Sequence, residues 1–464
     1  MMRSVRKSMI AYPVAVSLLT GVAFAVLVHP VSGGPVPGDR VPGGLTLPWM
    51  WQATVQQDPP GPASVLVGGD SVGFEGTDLF DSEGKVAAVG RGGDYRMLRY
   101  SGWNGVTPGE DVLLSPDGRY AAQEWLEGST SDGDGLDIVD LATGRSVTYD
   151  GGLTRISDQW GNATVPCCAP AAWAPDGRSL LVETFGTDYE DPQTSIIQAR
   201  RRLGLLDLAT NRITPIGAER PGGAVRKASR GAFAPDGRHL AVTAGDRLEL
   251  IDRTGKVGWT TDLGDRRHLA GAGAFSPDGS RIAVAELDGC LDACDRAALA
   301  TRRWRISYLD AATGRPADGP DLPVVTAMSV RALGWTAGGE LVVTRHEPER
   351  DARKRPDQEW SDTGWEQTGH ITLVALGAGG AVRTLLDPPA DVLTLDVAAD
   401  LIRAGRFGGP TPVAGAFPAR PIIGFALVPV ALLAAAALLV VRLVTRLVVR
   451  RRRREPPRPM LITG

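Results

Sequence analysis

The chain has 464 residues, a formal net charge of −3, 58 glycines, 34 prolines and 22% charged residues. That composition is globular and rich in turns, which excludes a disordered or fibrous chain. The basic residues crowd into the two ends, +3 before residue 9 and +7 from Arg442 onward, leaving near −13 on the body. An acidic body repels a phosphate backbone, so no nucleic acid is expected as partner.

Residues 1–8 carry Arg3, Arg6 and Lys7, and residues 9–28, "MIAYPVAVSLLTGVAFAVLV", carry no charge. This second stretch is long enough to cross a ~30 Å hydrocarbon core, as an uncleaved anchor or as a signal peptide. Residues 29–62 are rich in Pro and Gly and read as an extended linker.

From residue 63 to 404 two hairpin motifs alternate. The first is a Pro-Asp-Gly turn between short apolar strands, at Pro116-Asp117-Gly118, Pro175-Asp176-Gly177, Pro235-Asp236-Gly237 and Pro277-Asp278-Gly279. A worn copy stands at Ala337-Gly338-Gly339. Pro presets φ, Asp bonds the following backbone, and Gly accepts positive φ at the exit. The second motif is a strand, an Asp and a Gly or Asn turn: "LDIVDLATGRSV" from Leu136, "LGLLDLATNRIT" from Leu203, "LELIDRTGKVG" from Leu248 and "ISYLDAATGRP" from Ile306. Weaker copies begin at Lys85 and Ile371.

Alternating hairpins of this period predict a β-propeller whose blades have four antiparallel strands, here a to d. Pro-Asp-Gly joins a to b, and the second motif joins c to d. Six c–d turns stand against five a–b turns. A ring closed by its two ends leaves that deficit, with Val392–Ile402 as strand a and Ala63–Gly69 as strand b of one blade. The expected fold is all-β, with six blades and seven as the alternative. The "SPDGR" and "D-L-A-T-G" runs resemble the Pro-Asp-type repeat of TolB-like, WD-repeat-like bacterial propellers, including membrane-anchored actinobacterial ones. Arg supplies nearly all of the 50 basic residues, a bias that fits such a GC-rich source. The resemblance implies a ring used for binding and does not specify a substrate.

All short turns fall on one face of such a ring. The long segments Glu124–Gly135, Thr184–Arg202, Asp288–Arg303 and His346–His370 all follow strand b, so they share the other face. The last mixes seven acids and four bases with Trp360 and Trp365. Loops on a rigid scaffold carry binding, and Trp among charges suits an interface anchor. His346, Trp360, Trp365 and His370 are therefore the candidate partner-binding residues, for an envelope protein or a wall component.

The four cysteines are Cys167, Cys168, Cys290 and Cys294, and in an oxidising compartment they pair. Cys290 and Cys294 can close a small loop, but cross-pairing stays open, and no His stands at zinc-ligand spacing. "GDSVG" around Ser71 lacks the helix that a nucleophile elbow needs. Asp132, Asp134 and Asp137 break the EF-hand frame. The five histidines are scattered. No catalytic residue, metal or cofactor is assigned, and the chain is read as non-enzymatic.

Residues 405–420 form a second Pro/Gly-rich linker. Residues 421–441 are again uncharged and end in an arginine run, residues 442–464, which reads as a membrane helix with a cytoplasmic tail. Both basic ends stay inside the cell by the positive-inside rule, so the expected location is the cell membrane, with the propeller extracytoplasmic. The alternative function is a propeller hydrolase or lyase acting at the channel mouth.

Overall fold

The computed structural model describes residues 39–48, 53–69, 85–98, 108–125, 135–149, 156–158, 161–163, 168–185, 189–190, 197–198, 200–221, 231–353, 367–390, 392–412 and 419–454. The chain divides into two units, Pro30–Ala416 and a second formed by Met1–His29 with Phe417–Gly464.

The first unit is a six-bladed propeller. Blade 1 pairs Thr394–Val397, Ala63–Gly69, Lys85–Gly90 and Tyr95–Met97 in that order. Blade 2 is Val112–Leu114, Tyr120–Trp125, Gly135–Asp140 and Arg145–Tyr149. Blade 3 is Cys168–Trp173, Ser179–Phe185, Arg200–Asp207 and Arg212–Pro221. Blade 4 is Gly231–Phe233, His239–Ala244, Arg247–Asp252 and Val257–Asp262. Blade 5 is Arg267–Leu269, Arg281–Asp288, Arg303–Asp310 and Pro316–Ala317, with Val325–Thr326 added to its third strand. Blade 6 is Ser329–Trp335, Leu341–Pro348, Thr368–Leu376 and Val382–Leu386. Strand b packs between neighbouring blades on both faces, so Ala63–Gly69 is buried throughout. The outer strands Arg145–Tyr149 and Val257–Asp262 are largely exposed, which fits their Thr, Ser and charged residues.

The turns are held as their residues dictate. Asp236 Oδ1 accepts the amide N–H of Arg238 at 2.8 Å and of His239 at 3.2 Å, and Gly237 leaves the turn at φ +64°. Asp117, Asp176 and Asp278 do the same for the residue two positions on. In the second motif Asp252 Oδ1 accepts from the amides of Thr254 and Lys256. These carboxylates are satisfied by their own backbone and act as turn residues.

The ring closes where the missing turn places it. Thr394–Val397 pairs antiparallel with the N-terminal strand, with Val65 opposite Val397 and Gly68 opposite Thr394. The closing strand is shorter than the Val392–Ile402 expected. Ala399–Arg403 forms a helical turn instead, which lodges Leu401 and Ile402 in the core.

The described parts of the two Pro/Gly-rich segments lie on the ring. Val41, fully buried, donates to Arg406 O and accepts from the Gly409 amide, both at 2.9 Å. Val55, also fully buried, donates to Met97 O at the edge of blade 1. Arg91, at the c–d turn of blade 1, ties down the first segment and the helical turn Ala399–Arg403. Its guanidinium reaches Asp39 at 3.1 Å and Asp400 at 2.7 Å.

In the second unit the described element is one helix, Ala419–Arg454. Among the described residues no helix is long and apolar enough to cross a membrane. The structure thus does not show the two flanking transmembrane helices; 9–28 lies outside the described residues, and 421–441 falls within Ala419–Arg454.

Candidate functional site

The b–c connections leave the ring on the face opposite the Pro-Asp-Gly turns, as the strand order requires. The strands reach further than the sequence suggests. Strand b of blade 6 runs to Pro348 and strand c starts at Thr368, so His346 and His370 belong to strands.

The blade 5 insertion is described in full. Its centre is Arg302, 1% exposed. Its Nε donates to Cys290 O at 2.8 Å, Nη1 to Met328 O at 3.3 Å and Nη2 to Leu291 O at 3.2 Å. A disulfide joins Cys290 to Cys294 around this guanidinium. Asp295 then caps the short helix Arg296–Ala300 by accepting from the Ala298 amide at 2.8 Å. Cys294 and Leu299 pack with Met328 and Ala352 in an apolar cluster separate from the ring core. Arg296 Nε donates to Glu349 O at 3.1 Å, across to the blade 6 insertion. A disulfide, a buried guanidinium and a small core therefore make one platform of two insertions.

Beside it runs a groove of about 620 Å³, lined by Arg296, Glu347, Pro348, Glu349, Arg350 and His370. His370 Nε2 lies 2.8 Å from Asp387 Oδ1. Glu347 Oε1 accepts from Arg345 at 2.5 Å. The groove thus presents both signs of charge within one hydrogen-bonding rim.

The other named residues fall as follows. His346 is fully buried, so its ring cannot meet a partner. Its Nε2 lies 3.1 Å from Thr344 Oγ1. Burial first, and then the Arg331 charge, pull its pKa down to about 3, so it is neutral. Trp360, Trp365, Cys167, Ser71, Asp132 and Asp134 lie outside the described residues. Cys168 is buried in strand a of blade 3 and disulfide-bonded. Asp137 accepts from Thr148 Oγ1 across its hairpin. Among the described residues no three His, Cys, Asp or Glu gather as a metal site.

Sequence reasoning passed over a second feature. Arg331, Glu110 and Asp396 face a cavity on the ring axis. The signal was legible: each of Arg331 in "SVRALGW" and Asp396 in "TLDV" is the lone charge of an apolar inner strand. A third concavity, between blades 4 and 5 on the short-turn face, is lined by Asp236, His239, Trp259, Phe275 and Asp278. Its Asp carboxylates serve their own turns.

No family model and no curated protein matches the chain. Among solved structures it is similar to the β-propeller domain of the Trilobed protease from Pyrococcus furiosus, with 10% identity, TM-score 0.34, and 60% of this chain covering 71% of that one. It is similar to a putative TolB from Agrobacterium tumefaciens, with 15% identity, TM-score 0.31, and 51% of this chain covering 74% of that one. An acylaminoacyl peptidase from Pyrococcus horikoshii shares 14% identity at TM-score 0.35, and 72% of this chain covers 47% of it. TolB-like and peptidase propellers thus both stand among the neighbours, and likeness at this level carries no argument about activity.

Proposed function

We propose that the protein is a membrane-anchored, extracytoplasmic propeller that acts as a non-catalytic interaction scaffold or sensor, docking an envelope protein or wall component on its insertion face. The observation that carries this reading is the platform of blades 5 and 6. Three devices hold it, namely Arg302 on three carbonyls, the Cys290–Cys294 bond and the Arg296–Glu349 link. A disulfide around so small a loop contributes about 2 kcal/mol in the chain-entropy view and suits an oxidising compartment.

The anchoring part rests on Ala419–Arg454. Leu432, Leu433, Leu438 and Leu439 are each more than 60% exposed, and an apolar surface of that kind needs lipid or protein cover. The arginines that follow orient it with the tail inside. The alternative, a hydrolase or lyase at the channel mouth, draws on Arg331, Glu110 and Asp396.

The test is site-specific photo-crosslinking in intact cells, with the probe at Arg350 or at Val257 on the short-turn face. The expected result is a discrete adduct from position 350 alone, lost when residues 354–366 are replaced by a Gly-Ser linker. Equal labelling from both positions, or an adduct indifferent to the replacement, refutes docking on this face. Protease protection of a tag at the C-terminus tests the topology, and a tag cleaved from outside refutes it.

A further inference from the structure

The axial cavity measures about 100 Å³ and takes wall residues from all six blades, among them Val397, Leu114, Ala172, Gly231 and Leu333 on inner strands and Ala272 just past the inner strand of blade 5. Apart from its charged groups it is walled by glycine and by apolar side chains that range in size from Ala171 to Trp173. Arg331 is 2% exposed and lines it. Its Nη2 donates to Leu395 O on the closing strand at 2.7 Å. Its Nε and Nη1 have no hydrogen-bond acceptor among the described residues. Glu110 Oε1 stands 3.9 Å from Nη1, close enough for ionic attraction and too far for a hydrogen bond. A buried guanidinium with two unfilled nitrogens is expensive unless something else accepts from them.

Asp396 is the opposite pole. Its Oδ2 accepts from the Leu114 amide at 2.9 Å and its Oδ1 from the Val397 amide at 3.0 Å. One lone-pair position on each oxygen is left for a further donor. The side chain keeps surface toward the cavity although protein surrounds it. The cavity therefore offers donors from a cation and acceptors from carboxylates within one small volume. A simple anion meets the acids Glu110 and Asp396, and a simple cation meets Arg331. A ligand carrying both charges suits all three. At ~30 Å³ per water-sized group the volume holds about three, the bulk of glycine or alanine.

We propose that the axial cavity is a binding site for a small zwitterion of the α-amino-acid class, its carboxylate on Arg331 and its ammonium on Asp396 and Glu110. The site is independent of protein docking on the insertion face, since it uses none of the platform residues.

Thermal unfolding and calorimetric titration of the full chain in detergent test it, with glycine and alanine as probes. Acetate and methylammonium supply the half-ligands, and phenylalanine supplies the size control. Glycine or alanine should raise the melting temperature saturably, with a Kd of about 1 mM or tighter. Each half-ligand and phenylalanine should bind at least about tenfold more weakly, a 1.4 kcal/mol difference. Asp396→Asn keeps the side chain's shape and should weaken glycine at least about tenfold. Arg331→Lys keeps the charge but not the fork, and should do the same. No saturable shift from glycine or alanine overturns the proposal and leaves a cavity that holds water only. Acetate matching glycine overturns the zwitterion, and an undiminished affinity in Asp396→Asn overturns the ammonium pole. The wild-type comparisons decide the question even if a variant fails to fold.

Discussion

Blades 1 and 4 have the same four-strand plan and are held in different ways. Blade 4 is one continuous run from Gly231 to Asp262. Its Asp236 carboxylate meets the His239 ring at 2.8 Å inside a single turn. Blade 1 is assembled from chain ends, with Val65 opposite Val397. Bringing such distant segments together costs about 4 kcal/mol more loop entropy than a hairpin. Charged anchors stand at this join. Arg331 holds Leu395 O, Asp396 holds the Leu114 amide, and Arg91 holds Asp39 and Asp400. Where the chain itself keeps strands adjacent, turn hydrogen bonds are enough. Where it does not, long-range charge takes over.

The largest effect should come from Arg331→Ala, which removes the cation from between Glu110 and Asp396. About 3–5 kcal/mol should be lost in chemical denaturation, the range for breaking a buried ion pair. A loss under about 1 kcal/mol would break the contrast between the blades.

A matched pair of turns comes next. A Cβ on Gly118 would lie 2.0 Å from Ala63 O on the N-terminal strand, whereas one on Gly237 finds nothing nearer than Pro175 Cδ at 3.9 Å. Both glycines have positive φ. Gly237→Ala should cost about 1 kcal/mol for backbone strain alone, and Gly118→Ala about 3 kcal/mol or more. Equal losses would show that closure places no extra demand on that turn.

Arg91→Ala should cost about 1 kcal/mol at low salt and less at high salt, because its partners Asp39 and Asp400 are half exposed. The denaturation midpoint at two ionic strengths measures this, and a salt-independent loss would point to packing instead.

The smallest effect is in pH dependence, and its sign separates the two regions. Hydrogen bonds from Ser276 and Ser280 lower Asp278 in its turn to about 2. Its contribution is present above pH ~4 and is lost as the pH falls from about 4 toward 2. Asp396 is raised, first by burial, with Arg331 and two amides pulling against it. Its contribution is present in acid and is lost as the pH rises through its folded pKa. Asp278→Asn should therefore flatten the acid limb of a stability–pH curve, while Asp396→Asn should gain on the wild type as pH rises above ~4. Shifts of the same sign would sink the distinction.

Most of the fold was legible because turn chemistry is local. Pro-Asp-Gly declares itself within three residues, and the count of a–b against c–d turns was enough to locate the closure and the insertion face. The platform was half legible: the "CLDAC" spacing allowed the disulfide, but Arg302 looked like one arginine among many. His346 looked like the edge of a loop, because alternation alone does not show where a strand ends.

By itself, the sequence determined the all-β class, the four-strand blade, the joining of the ends and the face that bears the insertions, and it favoured six blades over the seven kept as alternative. Each of these depends on a signal a few residues long, repeated often enough to be counted. Tertiary structure alone decided that Arg331, Glu110 and Asp396 share one cavity, that Arg91 binds both chain ends, and that Arg302 fills the disulfide loop. The channel takes its wall from six blades far apart in the chain. Bulges at Ala332/Gly334 and Pro170/Ala172 shift the register of two inner strands by a residue. A one-residue shift sends a side chain to the other face, so which residue faces the axis is settled only when the ring closes.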